Sequence, residues 1–366
     1  MIWRCDLLPQ YELYKKEIDE AMLRVLHSGV YILGKEVAAF EQEFAKYVGC
    51  QFGVGVANAT DALTLSLTAL GVGHGDEVIT TPFTAIPTVS AIVDAGATPV
   101  FVDICPDTYL MNLDQVAAKI TSRTKAIMPV HIFGNVLDIP KLKQISGSIP
   151  IIEDASQAHG STIRGKQAGS MGDLSVFSFY PTKNLGGYGD GGAVLANSES
   201  HSKKLKLLRM YGMTDKDHIV INGINSRLDE LQAAILKIKL KHLDEMNRKR
   251  VQIANRYIER LRPGLFEFQK IPSETVSNFH IFNARFKGNR KKFMEYMDTQ
   301  KIQTNIYYLV PLHLQEANRS YGYKLGDLPV CEKLCEESIA LPMYPELDEK
   351  TQNFIISKIN EFKEAN

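Results

Sequence analysis

Lys183 is the residue whose surroundings most invite chemistry. It follows Ser175 to Phe179, a run in which small and large side chains alternate as in a buried strand, and Pro181, which cannot donate to a ladder, ends that run. Gly186, Gly187, Gly189, Gly191 and Gly192 come next, and a second apolar run, Ala193 to Leu195, closes the segment. One lysine therefore stands between two strands, on a loop whose glycines permit tight backbone turns. A reactive amine would be wanted there, although a plain hairpin with a solvated lysine at its tip carries the same signature.

Four further positions lie just after apolar runs. Thr60 and Asp61, in Asn58-Ala-Thr-Asp-Ala-Leu, fall where a strand gives way to a helix. Free backbone N–H groups and the helix dipole attract an anion at such a point, typically phosphate. A capped helix that binds nothing is the plain alternative. Asp154 follows Glu153 at the end of Ile149-Pro-Ile-Ile, a strand that buries its own end, so a carboxylate there needs a cationic or hydrogen-bonding partner. It suits a protonated pyridine nitrogen; helix capping is the alternative role. Phe83 is placed to stack on a flat ring, or to fill core, and Ser178 offers a hydroxyl to a phosphate. An anion site, a ring platform, a carboxylate for a pyridinium and a lysine for a Schiff base are together the needs of pyridoxal 5'-phosphate.

These residues need a scaffold that brings strand ends together. Strands over 53–57, 77–80, 99–102, 126–130 and 149–153 alternate with helices over 61–70, 85–95, 112–121 and 139–145. This alternation predicts an α/β fold, a mainly parallel central sheet with helices on both faces, in which ligands collect at the carboxyl ends of the strands. Two amphipathic helices precede it, over 11–28 and after Gly34. From Ser226 to about Arg262 one long helical period reads as a spine leading to a smaller α+β domain, with strands over 283–286 and 304–308 and helices over 290–300 and 331–338. The expected division is 1–245 for the large cofactor-binding domain and 246–366 for the small one.

Lysine plus arginine equals aspartate plus glutamate at 42 each, so no global field points to nucleic acid or an anionic membrane. The N-terminus lacks the basic-then-apolar order of a signal peptide, and no apolar run is long enough to span a bilayer, so a cytoplasmic location is expected. The five cysteines read as reduced core residues. Cys331 and Cys335 have helical i,i+4 spacing, but no second pair completes a metal site, and no metal is expected. A nicotinamide dehydrogenase is excluded because no Gly-x-Gly-x-x-Gly follows the first strand.

The chain also resembles the DegT/DnrJ/StrS sugar aminotransferases, which have the aspartate aminotransferase (fold type I) architecture. The resemblance runs from about Trp3 to Pro345. It rests on Ile32-Leu-Gly-Lys-Glu-Val-Ala-Ala-Phe-Glu41, Asn58-Ala-Thr-Asp-Ala-Leu63, Gly75-Asp-Glu-Val-Ile79, Pro129-Val-His-Ile-Phe-Gly134, Glu153-Asp-Ala-Ser-Gln-Ala-His159, the Lys183 loop, Gly223-Ile-Asn-Ser-Arg-Leu-Asp-Glu-Leu-Gln-Ala-Ala234 and Pro311-Leu-His-Leu-Gln315. It implies that Lys183 carries the cofactor covalently, Asp154 pairs with the pyridine nitrogen, Gln157 lies near the ring hydroxyl and Phe83 stacks on the ring. Thr60, Asp61 and Ser178 would bind the phosphate. Asn225 would reach the phosphate of a neighbouring subunit, which implies a homodimer with shared sites. Ala59 stands where the family often has glycine, and Ile132-Phe133 where Leu-Tyr is frequent. Members with histidine in place of the lysine are dehydratases, which Lys183 argues against. Tyr180-Pro181 after Phe179 is similar to members that aminate C3 of a dTDP-linked 3-keto-6-deoxyhexose, with L-glutamate as the expected donor. Tyr180, Tyr188, Tyr307 and His313 are the expected contacts to the nucleotide-linked keto sugar. A UDP-linked 3-keto sugar, a 4-keto hexose, or a non-catalytic regulatory protein on the same fold are the alternatives.

Overall fold

The apolar runs form seven strands: β1 (Phe52–Val56), β2 (Glu77–Thr80), β3 (Thr98–Phe101), β4 (Thr124–Ile127), β5 (Ile152–Asp154), β6 (Leu174–Ser178) and β7 (Gly192–Ala196). They come from a computed structural model that describes residues 1–363. β2 lies between β3 and β4, all parallel. The parallel bridges Ile127↔Ile151 and Val130↔Asp154 join this trio to β5. β5 is parallel to β6, and β7 is inserted antiparallel between β6 and β1. The spatial order is thus β3-β2-β4-β5-β6-β7-β1, parallel except for β7.

Alternation along β6 shows why both faces are covered. Leu174 and Val176 pack with Leu63 and Leu67 of α3 (Ala59–Ala69), Ile92 of α4 (Pro87–Asp94) and Leu205 of the helix Glu199–Leu208. Phe177 and Phe179 point to the opposite face and join Phe40 and Phe44 of α2 (Lys35–Val48) and Tyr14 and Ile18 of α1 (Leu8–Ser28). Successive strand side chains point to opposite faces, so one run feeds both cores.

The helix Glu230–Arg260 bridges two cores. Its Leu243 and Met246 belong to the core under the sheet, whereas Ile253, Ala254 and Tyr257 pack with Phe282, Phe286, Phe293 and Ile339. The latter core lies on an antiparallel sheet of Phe266–Phe268, Phe282–Phe286 and Ser338–Leu341. The first residues of the chain join this C-terminal part: Ile2 N–H donates to Lys301 O (2.7 Å), Gln303 N–H to Ile2 O (2.9 Å) and Met343 N–H to Arg4 O (2.9 Å).

Two predicted elements are smaller than expected. The helix over 112–121 is one turn, Leu113–Val116, followed by a 3-10 turn, because Ile120 is extended and the Thr121 amide bonds Thr124 Oγ1 at 2.9 Å, drawing the chain into β4. The strand over 304–308 reduces to the bridge Asn305↔Ala340. Asn305 Oδ1 captures the Ile306 amide (2.8 Å) and the Tyr307 carbonyl accepts from the Ser338 hydroxyl, so the ladder stops. No described helix is long and apolar enough to cross a membrane.

Candidate active site

A cavity of about 260 Å³ opens where β1, β5 and β6 end, and Asn58, Thr60, Thr88, Asp154, Gln157, Ser178 and Lys183 are all on its wall. Local sequence explains the first of these. Asn58 leaves β1 in an extended conformation and caps α3, its Oδ1 accepting from the Asp61 amide at 2.9 Å. The cap takes the third amide of the helix, and Ala59 and Thr60, which carry the two before it, line the cavity. Ser178, at the end of β6, adds a hydroxyl on the same wall.

The adjacent carboxylates divide their work by strand alternation. Glu153 is fully buried and accepts from His131 Nε2 (2.8 Å) and from the amides of Gly169 (2.8 Å), Met171 (2.7 Å) and Gly172. His131 Nδ1 accepts the Leu137 amide at 3.1 Å, so its proton sits on Nε2 and points at Glu153. Glu153 is structural, and the loop over 167–172 is folded around it. Glu153→Ala is expected to lower the unfolding free energy by about 3–5 kcal/mol, since four donors lose a buried anion; a denaturant midpoint that does not move would contradict this assignment. Asp154 faces the other way. Its Oδ2 accepts from Thr88 Oγ1 (3.0 Å) and its Oδ1 from the Ser156 amide (3.2 Å), and it stays on the cavity wall at 4% exposure.

Lys183 shares that wall. Burial pulls its pKa down to about 8; Asp154 opposes the shift and the charge of Arg4 adds to it. The amine is therefore far easier to deprotonate than a surface lysine. Gln157 is fixed at both ends, its Oε1 accepting the Phe133 amide (2.9 Å) and its Nε2 donating to Tyr308 Oη (3.1 Å).

The glycines after Lys183 serve the protein rather than a ligand. A Cβ on Gly186 would stand 2.4 Å from Pro181 O, and one on Gly192 would stand 2.5 Å from Asn58 C. Side chains on Gly187 or Gly189 would strike Gln232. The loop is packed against its own strand, α3 and the long helix, and of the five only Gly191 lines the cavity.

Several residues that hold this loop have no signal in the sequence. Asn184 Nδ2 donates to Asn247 Oδ1 (2.8 Å) and to Asn278 O (3.1 Å), and its Oδ1 meets His280 Nδ1 at 3.0 Å. Lys239 is 1% exposed, donates to Gly186 O at 2.8 Å and lies 4.2 Å from the Tyr188 ring centroid. Burial lowers its pKa to about 7. The N-cap Asn58 was within reach of sequence reasoning, since asparagine at the start of a helix is a capping signal.

Of the remaining expected site residues, Tyr180 alone lines this cavity. Phe83 is fully buried behind the wall, its ring meeting Tyr109, Phe133 and Tyr308 edge-on with centroids 5.5–6.2 Å apart, so it braces the tyrosine that holds Gln157. Asp61 does not line the cavity. Tyr188 is tucked under the loop against Tyr11 and Lys239. His313 is 1% exposed and its Nε2 pairs with Glu332 at 3.0 Å, which turns it into the interior between Phe101 and Tyr323. Tyr307 lies under the Arg4 guanidinium. Tyr180 lines the cavity and is half exposed. Asn225 is exposed and does not line the cavity of its own chain.

The donor set fits a flat, phosphate-bearing pyridine: helix amides and Ser178 for an anion, a buried carboxylate with free lone pairs for a ring N–H, and a neutral-prone amine beside it. The chain matches the DegT/DnrJ/EryC1/StrS aminotransferase family over residues 12–360. It is 42% identical over 353 residues to the dTDP-3-amino-3,6-dideoxy-alpha-D-galactopyranose transaminase of Aneurinibacillus thermoaerophilus, covering 95% of this chain and 96% of that one. It is 41% identical over 361 residues to the "pleiotropic regulatory protein" of Geobacillus stearothermophilus, covering 98% and 97%. Among solved structures, S. venezuelae DesV in complex with a ketimine intermediate superposes with a TM-score of 0.95 at 38% identity, covering 99% of this chain and 97% of that one.

Proposed function

This chain belongs to the DegT/DnrJ/EryC1/StrS aminotransferase family, and we infer that it transfers an amino group to C3 of a dTDP-linked 3-keto-6-deoxyhexose. It is a fold type I aminotransferase that uses pyridoxal 5'-phosphate. The observation that carries this reading is the meeting of Lys183, Asp154 and the start of α3 on one cavity wall.

When bound, the cofactor supplies an aldehyde for an amine and a ring that withdraws electrons from the carbon bearing that nitrogen. In this proposal the α3 amides, Thr60 and Ser178 bind its phosphate, and Gln157 orients toward the ring hydroxyl. Asp154 holds the pyridine nitrogen protonated, with Thr88 and the Ser156 amide keeping the carboxylate aimed. Lys183 Nζ would hold the cofactor covalently and, once the donor's amine has replaced it there, would be the base that takes the proton from the donor's α-carbon and, in the second half-reaction, the acid that delivers a proton to C3 of the sugar. L-Glutamate is the proposed donor. The exposed Asn225, with Val30, Tyr31, Ile32 and Tyr211 also exposed, supports a homodimer in which Asn225 completes the partner's phosphate site. We place the protein in the cytoplasm and the domain boundary within Glu230–Arg260, between Met246 and Ile253.

The likeness to a protein named as a regulator supports a second, non-catalytic reading, but a lysine with a lowered pKa beside a buried carboxylate has no use in it. Incubation with L-glutamate and a panel of keto sugar nucleotides tests the assignment. NMR of the product should show nitrogen on C3 of the dTDP-linked sugar. Amination at C4, or turnover only of UDP-linked substrates, would refute the assignment.

A further inference from the structure

Among the described residues, Arg4 is a cation without a counter-ion. It is 9% exposed, and among the described residues its guanidinium forms no ion pair; its one side-chain partner is the face of Tyr307, 5.3 Å from the ring centroid. The backbone holds it firmly, with Arg4 N–H donating to Gln303 Oε1 (2.9 Å) and Met343 N–H to Arg4 O (2.9 Å). Tyr307 adjoins Tyr308, whose hydroxyl fixes Gln157 on the cavity wall. The cation thus stands behind the Gln157 side of the wall, linked to it through the edge-to-face pair Tyr307 and Tyr308, and its charge adds to burial in lowering the pKa of Lys183.

A mostly buried cation with no carboxylate is stabilised when an anion arrives. We propose that Arg4 binds the α-carboxylate of the amino donor, a role that rests on the glutamate reading above. The donor's carboxylate is one bond from the carbon whose proton Lys183 moves, so an unpaired cation whose charge is felt at Lys183 is suited to meet it. The diphosphate of the sugar nucleotide sits on C1, across part of the pyranose from the reacting C3, and is less suited to the position. Between donor turns the Tyr307 ring face shields the guanidinium.

The test uses the holoenzyme and separates the two half-reactions. In Arg4→Gln protein the KM for L-glutamate should rise about 10- to 100-fold, as for loss of a hydrogen-bonded charge, with the KM for the sugar nucleotide unchanged. Arg4→Lys, which keeps the charge without the planar fork, should fall between. The wild type should discriminate strongly against glutamate α-amide, and that discrimination should collapse in Arg4→Gln, a change that loosened folding would not produce. The amide measurement on the wild type also stands without any variant. An unchanged glutamate KM, a rise confined to the sugar nucleotide, or wild-type indifference to the α-amide would each overturn the proposal. Failure of the wild type to form 2-oxoglutarate from glutamate would instead overturn the donor reading.

Discussion

Lys183→Ala protein is expected to show no covalently held cofactor and to lose more than about 10⁴-fold in turnover, since one positioned base is worth about 10²–10⁴ and the covalent attachment is lost as well. The loss is chemical and not structural, because the hydrogen bonds that hold the loop come from Asn184 and Lys239. Cofactor-free protein should in fact gain stability from removing the amine. The folded pKa of about 8 lies below the ordinary lysine value of 10.5, so the folded state gives up its proton first. The cost of burying the charge is therefore fully present below pH 8 and fades as pH rises from 8 to about 10.5. Lys183→Met apoprotein should exceed the wild type by up to about 3 kcal/mol near pH 7, with the difference shrinking through that window. Thermal unfolding across pH reads this directly; a gap that widened with pH would contradict it. The same value leaves about one amine in ten neutral at pH 7, against fewer than one in a thousand for an ordinary lysine.

Asp154→Asn should cost about 10²–10³ in kcat, the usual loss when a preorganised electrostatic partner is removed. The amide keeps the shape and the Thr88 contact but carries no charge to hold a ring nitrogen protonated. It also stops opposing the burial of Lys183, so the Lys183 pKa should fall below 8. Two signatures are thus expected together: a lower kcat and an acid limb of the pH profile shifted to lower pH. A kcat within tenfold of wild type, or an acid limb that moved up, would remove Asp154 from this role. Its neighbour supplies the contrast, since Glu153→Ala should unfold the protein more readily.

Strand positions were legible because each run is short and apolar, and the helix spacing between runs points to parallel pairing. Lys183, Asp154, Thr60 and Ser178 were legible because they follow those runs, where strand ends converge. Tyr188 and His313 were not, since exposure of a tyrosine or histidine depends on contacts from distant elements, here Lys239 and Glu332. The glycine loop shows the same limit from another side. Its composition announces that no Cβ fits, but Pro181, Gln232 and Asn58 as the obstructing neighbours come from three separate parts of the chain. Arg4 lay outside sequence reasoning altogether, because contacts of very long sequence separation, the pairing of Ile2 with Ile302 and the bonds of Arg4 to Gln303 and Met343, carry it to the C-terminal part of the chain.

The antiparallel β7 has a consequence for how the chain becomes competent. Phe52 pairs with Ala196 and Val56 with Gly192, so the edge strand β1 has no partner until nearly two hundred residues have been made. Contacts of such sequence separation form slowly, because the intervening chain must first be closed into a loop. Insertion of β7 also seats Gly192 against Asn58 and sets the Phe179 amide on Gly191 O at 2.8 Å, so the phosphate end and the lysine end take shape in the same event. A partly assembled chain would have either end alone and no grip on the cofactor. Capture of the cofactor is thereby a report that synthesis and closure of the sheet are complete.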